Sequence, residues 1–295
     1  MPVFFQAGED LPVTDQHDVY PTIDPSSYFA KQTYRDRVVL VTGASRGIGL
    51  EAALYYARAG AAVSLVARKQ ETLDDSKNAI LEELPGAQVL TFIADVRDVN
   101  LAKEAVQATV DRFGRLDILI ANAAIARPWD SLFTAKDPSG WWDVLEVNVR
   151  GVYNFVHFAI PELSKTKGQI IIVTSVMAHL RRSMTSDYAL SKHALGRFAE
   201  LVALEHPDIK IFPVHPGVIK TTLNVDAKVP DPPTEDTLAL PAATFLYLTS
   251  GNADYLSGRY VSANWDLGEV EANWKDTIIA ENALVSKLAI PRNAL

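Results

Sequence analysis

Seven short apolar runs, separated by amphipathic and charged stretches, constrain this 295-residue chain more than any other feature. They fall at 38–41, 62–67, 89–94, 116–121, 169–175, 209–215 and 259–262. Helical patterning fills the gaps at about 48–59, 70–84, 100–113 and 141–163, and a further helix at 186–206 separates the fifth run from the sixth. A strand that is apolar along its whole length must be covered on both faces, which a parallel sheet with crossover helices provides. Right-handed crossovers then distribute the helices over the two sides. The expectation is a doubly wound α/β domain over 37–265, with a parallel sheet of about seven strands.

The ends of the chain have a different texture. Residues 1–36 are rich in Pro, Asp, Thr and aromatics without periodicity, and read as an N-terminal extension that wraps the domain or a neighbour, or is partly disordered. Residues 266–295 read as a C-terminal helical extension. Leu267, Val270, Trp274, Ile278 and Ile279 stand at near-helical spacing and form an apolar stripe for the body or for an oligomer interface. The Pro-rich piece at 229–233 reads as a loop. A formal net charge of -8 argues against nucleic acid as a partner. With no cysteine and six histidines lacking ligand spacing, no metal site is expected. No apolar run approaches ~18 residues, and the N-terminus lacks the basic flank of a signal peptide. Cytoplasmic residence without a membrane partner is therefore expected.

At the first strand–helix junction lies Thr42-Gly43-Ala44-Ser45-Arg46-Gly47-Ile48-Gly49. Glycines there permit a tight turn and let the backbone approach a pyrophosphate, while the helix N-terminus offers amide donors and a favourable dipole. The spacing is Gly-x-x-x-Gly-x-Gly rather than Gly-x-Gly-x-x-Gly. At the end of the second strand, where an acidic residue selects NAD through its ribose hydroxyls, the chain has Ala67 followed by Arg68. Arg46 and Arg68 can bracket a 2′-phosphate with charge-assisted bonds. The expected cofactor is NADP(H).

Tyr188 and Lys192 stand four apart in Tyr-Ala-Leu-Ser-Lys, thirteen and more residues after Ser175. Positions i and i+4 share a helix face, so the ammonium can sit beside the phenol. A free phenol, with a pKa near ~10, is a poor acid or base at neutral pH. A neighbouring cation favours phenolate and brings it toward useful proton transfer.

With these segments placed, the chain resembles the short-chain dehydrogenase/reductase family over about 36–265, and its C-terminus resembles those of fungal members. The resemblance rests on the glycine loop at 42–49, Ala-Asp-Val at 94–96 and Ala-Asn-Ala-Ala at 121–124. It rests also on Asn148 in Val-Asn-Val-Arg-Gly, Ser175 in Val-Thr-Ser, Tyr188-Ala-Leu-Ser-Lys192, and Pro216-Gly217-Val218-Ile-Lys-Thr221. It departs from the commonest pattern at Ala123-Ala124, where Ala-Gly is usual.

The resemblance implies a single Rossmann-type domain and a role for each matching residue. Asp95 and Val96 would contact the adenine, and Asn122 would stabilise the central strand. Asn148 would hold a water in a proton relay. Ser175 would orient the substrate oxygen, Tyr188 would give or take its proton, and Lys192 would bind the nicotinamide ribose and lower the tyrosine's pKa. Pro216, Gly217, Val218 and Thr221 would position the nicotinamide. The implied reaction moves a hydride between NADP(H) and a carbonyl or secondary alcohol of a small, hydrophobic molecule. A redox-neutral enzyme on the same fold and a non-catalytic NADP-binding scaffold are the alternatives. The resemblance also implies a homodimer or homotetramer through the helices at 141–163 and 186–206.

Several residues carry two readings. His193 reads as structural. Trp129 is a candidate pocket wall, and of Trp141 and Trp142 at least one serves helix packing. His179, Arg181, Arg182 and Met184 lie where the resemblance puts substrate contacts. The arginine pair is either solvated or meets an acidic group on the substrate or a neighbouring chain. Residues 222–236 read as a mobile lid.

Overall fold

The computed structural model describes residues 10–228 and 236–288. The Pro-rich loop expected at 229–233, and with it most of the second half of the expected lid, lies outside them. Strands β1 (Val38–Thr42), β2 (Ala62–Ala67), β3 (Val89–Ile93), β4 (Ile118–Ala121), β5 (Gln169–Val173), β6 (Lys210–His215) and β7 (Val261–Ser262) form one sheet in the order β3-β2-β1-β4-β5-β6-β7. Every pairing is parallel. The seven strands and their direction agree with the apolar runs of the sequence.

Alternation along each strand divides the interior in two. Val39, Val41, Ile171 and Val173 face one core, and Val38, Leu40, Ile170 and Ile172 face the other. Helix α1 (Ser26–Lys31) precedes the sheet. Helices α2 (Gly47–Arg58), α3 (Gln70–Glu83), α4 (Val99–Phe113), α5 (Pro138–Leu145), α6 (Gly151–Thr166), α7 (Ser186–Glu205), α8 (Thr222–Asp226) and α9 (Ala239–Thr249) follow in chain order. The strand order reverses between β1 and β4, and in such sheets the ligand crevice lies outside the carboxyl ends at that reversal.

The helix expected over 141–163 is divided. Between α5 and α6 the chain takes a π-turn over Glu146–Arg150, a local widening frequent at functional sites. Immediately beyond it a Cβ at Gly151 would come within 2.5 Å of Val96 Cγ2, so the helix seats directly against the segment after β3.

The N-terminal arm is less extended than its composition suggests. Pro21–Ile23 forms a 3-10 turn ahead of α1, with proline at the first position, where its fixed φ suits a helical start. Tyr20 anchors the arm: its hydroxyl donates to Trp265 O at 2.9 Å and accepts from Leu267 N at 2.9 Å. Tyr34 Oη donates to Leu246 O at 2.6 Å. Tyr20, Ile23 and Tyr34 are buried in the same core as Leu267, Val270 and Ile278 of the C-terminal segment, while Ile279 is exposed. That segment is helical but broken into α10 (Leu267–Glu269), a π-turn over Val270–Trp274, and α11 (Lys275–Ala280).

Candidate active site

At the carboxyl ends of the strands lies a cleft of about 1030 Å³, at the upper end of the range for small-molecule sites. The glycine loop forms its floor at one end. Gly43 has a φ of +66°, and a Cβ there would fall 2.9 Å from Ala123 Cα. Gly49 sits behind the loop, where a Cβ would come within 2.5 Å of Gly43 O and 2.6 Å of Asn122 Nδ2. Gly47, at φ +56°, opens α2. Arg46, which caps that helix, has no side-chain bond to the first-turn amides, and Gly47 and Ile48 of that turn line the cleft, as suits an anion site at a helix start. Asn122 fastens the loop to β4: its Nδ2 donates to Thr42 O at 3.1 Å and Gly43 O at 3.2 Å.

Arg46, Arg68, Asp95 and Val96 line the same end. Neither Arg46 nor Arg68 forms an ion pair among the described residues, and both are exposed. Asp95 is held differently. Arg97 donates to its carboxylate from Nε at 3.0 Å and Nη2 at 2.7 Å, and the side-chain bond to Arg97 keeps the Asp95 pKa below its ordinary value. The shape of the loop, the open helix amides and two unpaired guanidinium groups suit a dinucleotide carrying an extra phosphate.

Ser175 follows β5, and Tyr188 and Lys192 project from the first turns of α7. All three line the cleft. The sequence places them thirteen residues apart, and the crossover from β5 to α7 brings them together. Tyr188 is 7% exposed and Lys192 2%. Lys192 Nζ donates to Val173 O at 2.8 Å, and lies 5.6 Å from the centroid of the tyrosine ring. The expected depression of the phenol's pKa is outweighed here. Burial pushes Tyr188 up to about 12, against the opposing hydrogen bond to Ser175. Burial also brings Lys192 down to about 7, so the cation that was to act on the phenol is itself disfavoured.

Asn148 and Gly49 do not line the cleft; they support it from behind. Asn148 sits in the π-turn, fully buried. Its Oδ1 accepts from Ile125 N at 2.8 Å, and its Nδ2 donates to Ile125 O and Ser191 Oγ, both at 3.0 Å. Ser191 Oγ in turn donates to Tyr188 O at 2.7 Å, so Asn148 ties the loop after β4 to the helix turn that carries the phenol.

Pro216, Gly217, Val218 and Thr221 form the wall beyond β6. Gly217, at φ +94°, turns the chain, and a Cβ there would meet Asp236 Oδ2 at 2.7 Å. Asp236 was not singled out by the sequence, nor were His17, Asn264 and His215, which also line the cleft. Their spacing carries no motif, and the arm's part in the site depends on a contact across more than two hundred residues. His215 is buried with no partner for Nδ1, and burial lowers its pKa to about 4. Thr174 Oγ1, on the neighbouring strand end, is likewise buried without a partner.

Trp129 lines the cleft, its ring 5.7 Å from that of Tyr188. Trp141 donates from Nε1 to Ser186 Oγ at 3.0 Å and meets Trp142 edge-on, and neither lines the cleft. His193 Nδ1 is 2.9 Å from Ala178 O, which fixes the loop after Ser175 and gives the imidazole a structural duty. His179 packs edge-on against Tyr260. Met184 is partly exposed in a left-handed conformation, outside the cleft. Among the described residues no group of three His, Asp or Glu could hold a metal ion, and no helix is long and apolar enough to cross a membrane.

Comparison with known proteins agrees with this geometry. The family model described as short chain dehydrogenase matches residues 37–230. The chain is 35% identical over 288 residues to the short chain dehydrogenase mpl6 of Monascus purpureus, covering 93% of this chain and 94% of that protein. It is 32% identical over 292 residues to the short chain dehydrogenase pigC of Monascus ruber, covering 94% and 93%. These two matches span nearly the whole chain, well beyond the residues of the family model. Among solved structures, that of levodione reductase superposes with a TM-score of 0.72 at 29% identity, covering 81% of this chain and 99% of that one. Members of this family are oxidoreductases that act on small molecules with a nicotinamide cofactor, NAD or NADP. On the strength of its sheet order, its site and these matches, the chain belongs to the short-chain dehydrogenase/reductase family and resembles the fungal members.

Proposed function

We propose that the protein is an NADP(H)-dependent carbonyl reductase or secondary alcohol dehydrogenase acting on a small hydrophobic molecule. The carrying observation is that Ser175, Tyr188 and Lys192 line the same cleft as the glycine loop and the unpaired Arg46 and Arg68. The nicotinamide, when bound, supplies or accepts the hydride at the carbonyl carbon.

The protein's own groups do the rest. Tyr188, whose burial keeps it protonated far above neutral pH, gives its proton to the substrate oxygen as negative charge develops there. Ser175 donates to the same oxygen and holds it in place. Lys192, fixed by Val173 O, binds the ribose and supplies positive charge when protonated. Asn148, its amide taken up by Ile125 and Ser191, holds the tyrosine turn in register rather than a relay water. Gly43, Ser45, Gly47, Ile48 and Gly49 form the pyrophosphate turn, Arg46 and Arg68 take the 2′-phosphate, and Asp95, Val96 and Asn122 bound the adenosine side. Pro216, Gly217, Val218 and Thr221 hold the nicotinamide.

The same reading makes 37–265 the catalytic domain between an N-terminal arm and a helical tail. It has the protein work as a homodimer or homotetramer in the cytoplasm. The test is to mix purified protein with NADPH and a panel of aldehydes and ketones, following loss of nicotinamide absorbance. Turnover is expected with NADPH and at least a thousandfold less in Tyr188→Phe. Full turnover in that variant overturns the mechanism, and NADPH binding without turnover on any carbonyl overturns the reaction.

A further inference from the structure

Around Tyr188 lies a small apolar cluster separate from the two main cores. Ala126, Met177, Leu180, Tyr188 and Ala227 form it, with Trp129, Val176 and Leu223 packed against it. Most of these side chains also line the cleft, so the space beside the phenol is apolar and walled by rings. Arg182 stands in that wall. The Arg182 guanidinium carbon lies 5.3 Å from the centroid of the Trp129 ring, and Trp129 in turn lies 5.7 Å from the ring of Tyr188, tilted by 47°. Contact with the indole face holds the guanidinium without consuming its N–H donors.

No carboxylate among the described residues pairs with Arg182. Of the five acids that line the cleft, Asp226 forms no ion pair among the described residues, Asp15 lies 3.7 Å from His17 Nε2, and the other three are bound elsewhere. Asp236 serves His17, Val218 and Asn264; Asp10 accepts from Trp265 Nε1 at 2.6 Å; Asp95 is held by Arg97. Arg127, two residues before Trp129 in the chain, is bonded to Asp143. Arg182 is thus a donor fork kept at an apolar, ring-lined wall with its hydrogen bonds unspent among the described residues. A carboxylate matches that fork in shape and charge, and a flat unsaturated skeleton matches the Trp129 face.

We propose that Arg182 and Trp129 select the substrate: a carbonyl compound built on a flat aromatic or conjugated skeleton that carries a carboxylate, bound with the acid on Arg182 and the carbonyl toward Tyr188. This deepens the reductase reading and rests on it for the orientation of the carbonyl. The anion site itself can be measured without turnover.

Two arms separate the claims. In the first, the three acetylbenzoates and their methyl esters are compared as substrates with NADPH. In the second, binding of 4-isopropylbenzoate, which has no carbonyl to reduce, and of its methyl ester is measured calorimetrically with NADP(H) present. The acid is expected to be favoured at least tenfold in both, as one charge-assisted pair provides. Arg182→Gln should bring the acid-to-ester ratio to near one, and Arg182→Lys, which keeps the charge and loses the fork, should retain part of it. Equal handling of acid and ester by the unmodified protein, or an unchanged ratio in Arg182→Gln, overturns the proposal. Acid-selective binding with no turnover of any acetylbenzoate sinks the reductase reading and leaves the anion site standing, whereas turnover of both forms without selectivity does the reverse.

Discussion

His17 Nδ1 lies 2.6 Å from Asp236 Oδ1, joining the N-terminal arm to the segment just before α9. The other oxygen of Asp236 accepts from Val218 N at 2.5 Å, and Asn264 Nδ2 donates to Oδ1 at 3.1 Å. One carboxylate therefore holds the arm, the last strand's loop and the segment proposed to carry the nicotinamide. The Asp236 side chain is 6% exposed while His17 is 45% exposed, so the two partners are unequal. Truncating the exposed member removes a solvent-screened pair worth little. Truncating the buried one leaves a backbone amide and a side-chain amide without acceptors, at about 2–3 kcal/mol. Asp236→Ala is expected to lower Tm by several degrees and raise KM for NADPH about tenfold, with His17→Ala causing a small part of either change. Equal effects of the two substitutions in melting and steady-state assays would remove Asp236 from this central position.

Gly49→Ala is expected to cost more than its single methyl suggests. The added Cβ meets the carbonyl of Gly43 and the amide of Asn122, and neither can retreat, because each fixes the other: Asn122 Nδ2 donates to Gly43 O. Overpacking of this kind costs about 1–3 kcal/mol. The strain should appear twice, as a lower Tm and as weaker nucleotide binding, since the loop that moves is the proposed cradle. Gly86→Ala, which meets nothing within 4 Å, serves as the control. Dinucleotide affinity equal in the two variants would separate Gly49 from the cradle.

Cofactor choice should depend on Arg46 and Arg68 together. Each is exposed, so each contact with a phosphate is partly screened, and a loss of about tenfold in NADPH affinity is expected for Arg68→Ala alone. The double variant should lose more, while KM for NADH changes little because that cofactor lacks the 2′-phosphate. Placing an acid in the same spot, Ala67→Asp, should move the preference further toward NADH through the ribose hydroxyls. Unchanged NADPH affinity in Arg46→Ala and Arg68→Ala would refute the charge argument.

The sheet was legible in the sequence because β1, β2 and β4 are buried along their whole length, and only continuous apolar runs survive that. The loop and the Tyr188–Lys192 helix were legible because their spacing is local. Three things were not. The π-turn at Glu146–Arg150 breaks no local propensity, and the close seat of Gly151 on Val96 directly after it is a tertiary contact. The part of the arm in the cleft rests on His17 meeting Asp236, a tertiary contact with no spacing to betray it. The balance at Tyr188 depends on burial, and a helix-face argument that counts charges cannot weigh desolvation.

That balance gives a signature in stability. Burial moves Lys192 from 10.5 to about 7, so between these values the unfolded chain holds a proton that the native protein lacks. Stability from this group therefore rises with pH across that window, by at most about 1.4 kcal/mol per pH unit. Below it both states are protonated and the burial penalty is at its full size. Tyr188 acts in the opposite sense but elsewhere: its shift from 10.0 to about 12 leaves its contribution whole below 10 and loses it only above that. Melting the unmodified protein and Lys192→Met from about pH 7 to pH 9 isolates the lysine, since Tyr188 stays largely protonated in both states there and is common to both proteins. The Tm of the unmodified protein should climb relative to that of the variant across the series. Parallel curves would mean that Lys192 keeps its proton in the folded state, and the phenol would then sit beside a full positive charge after all.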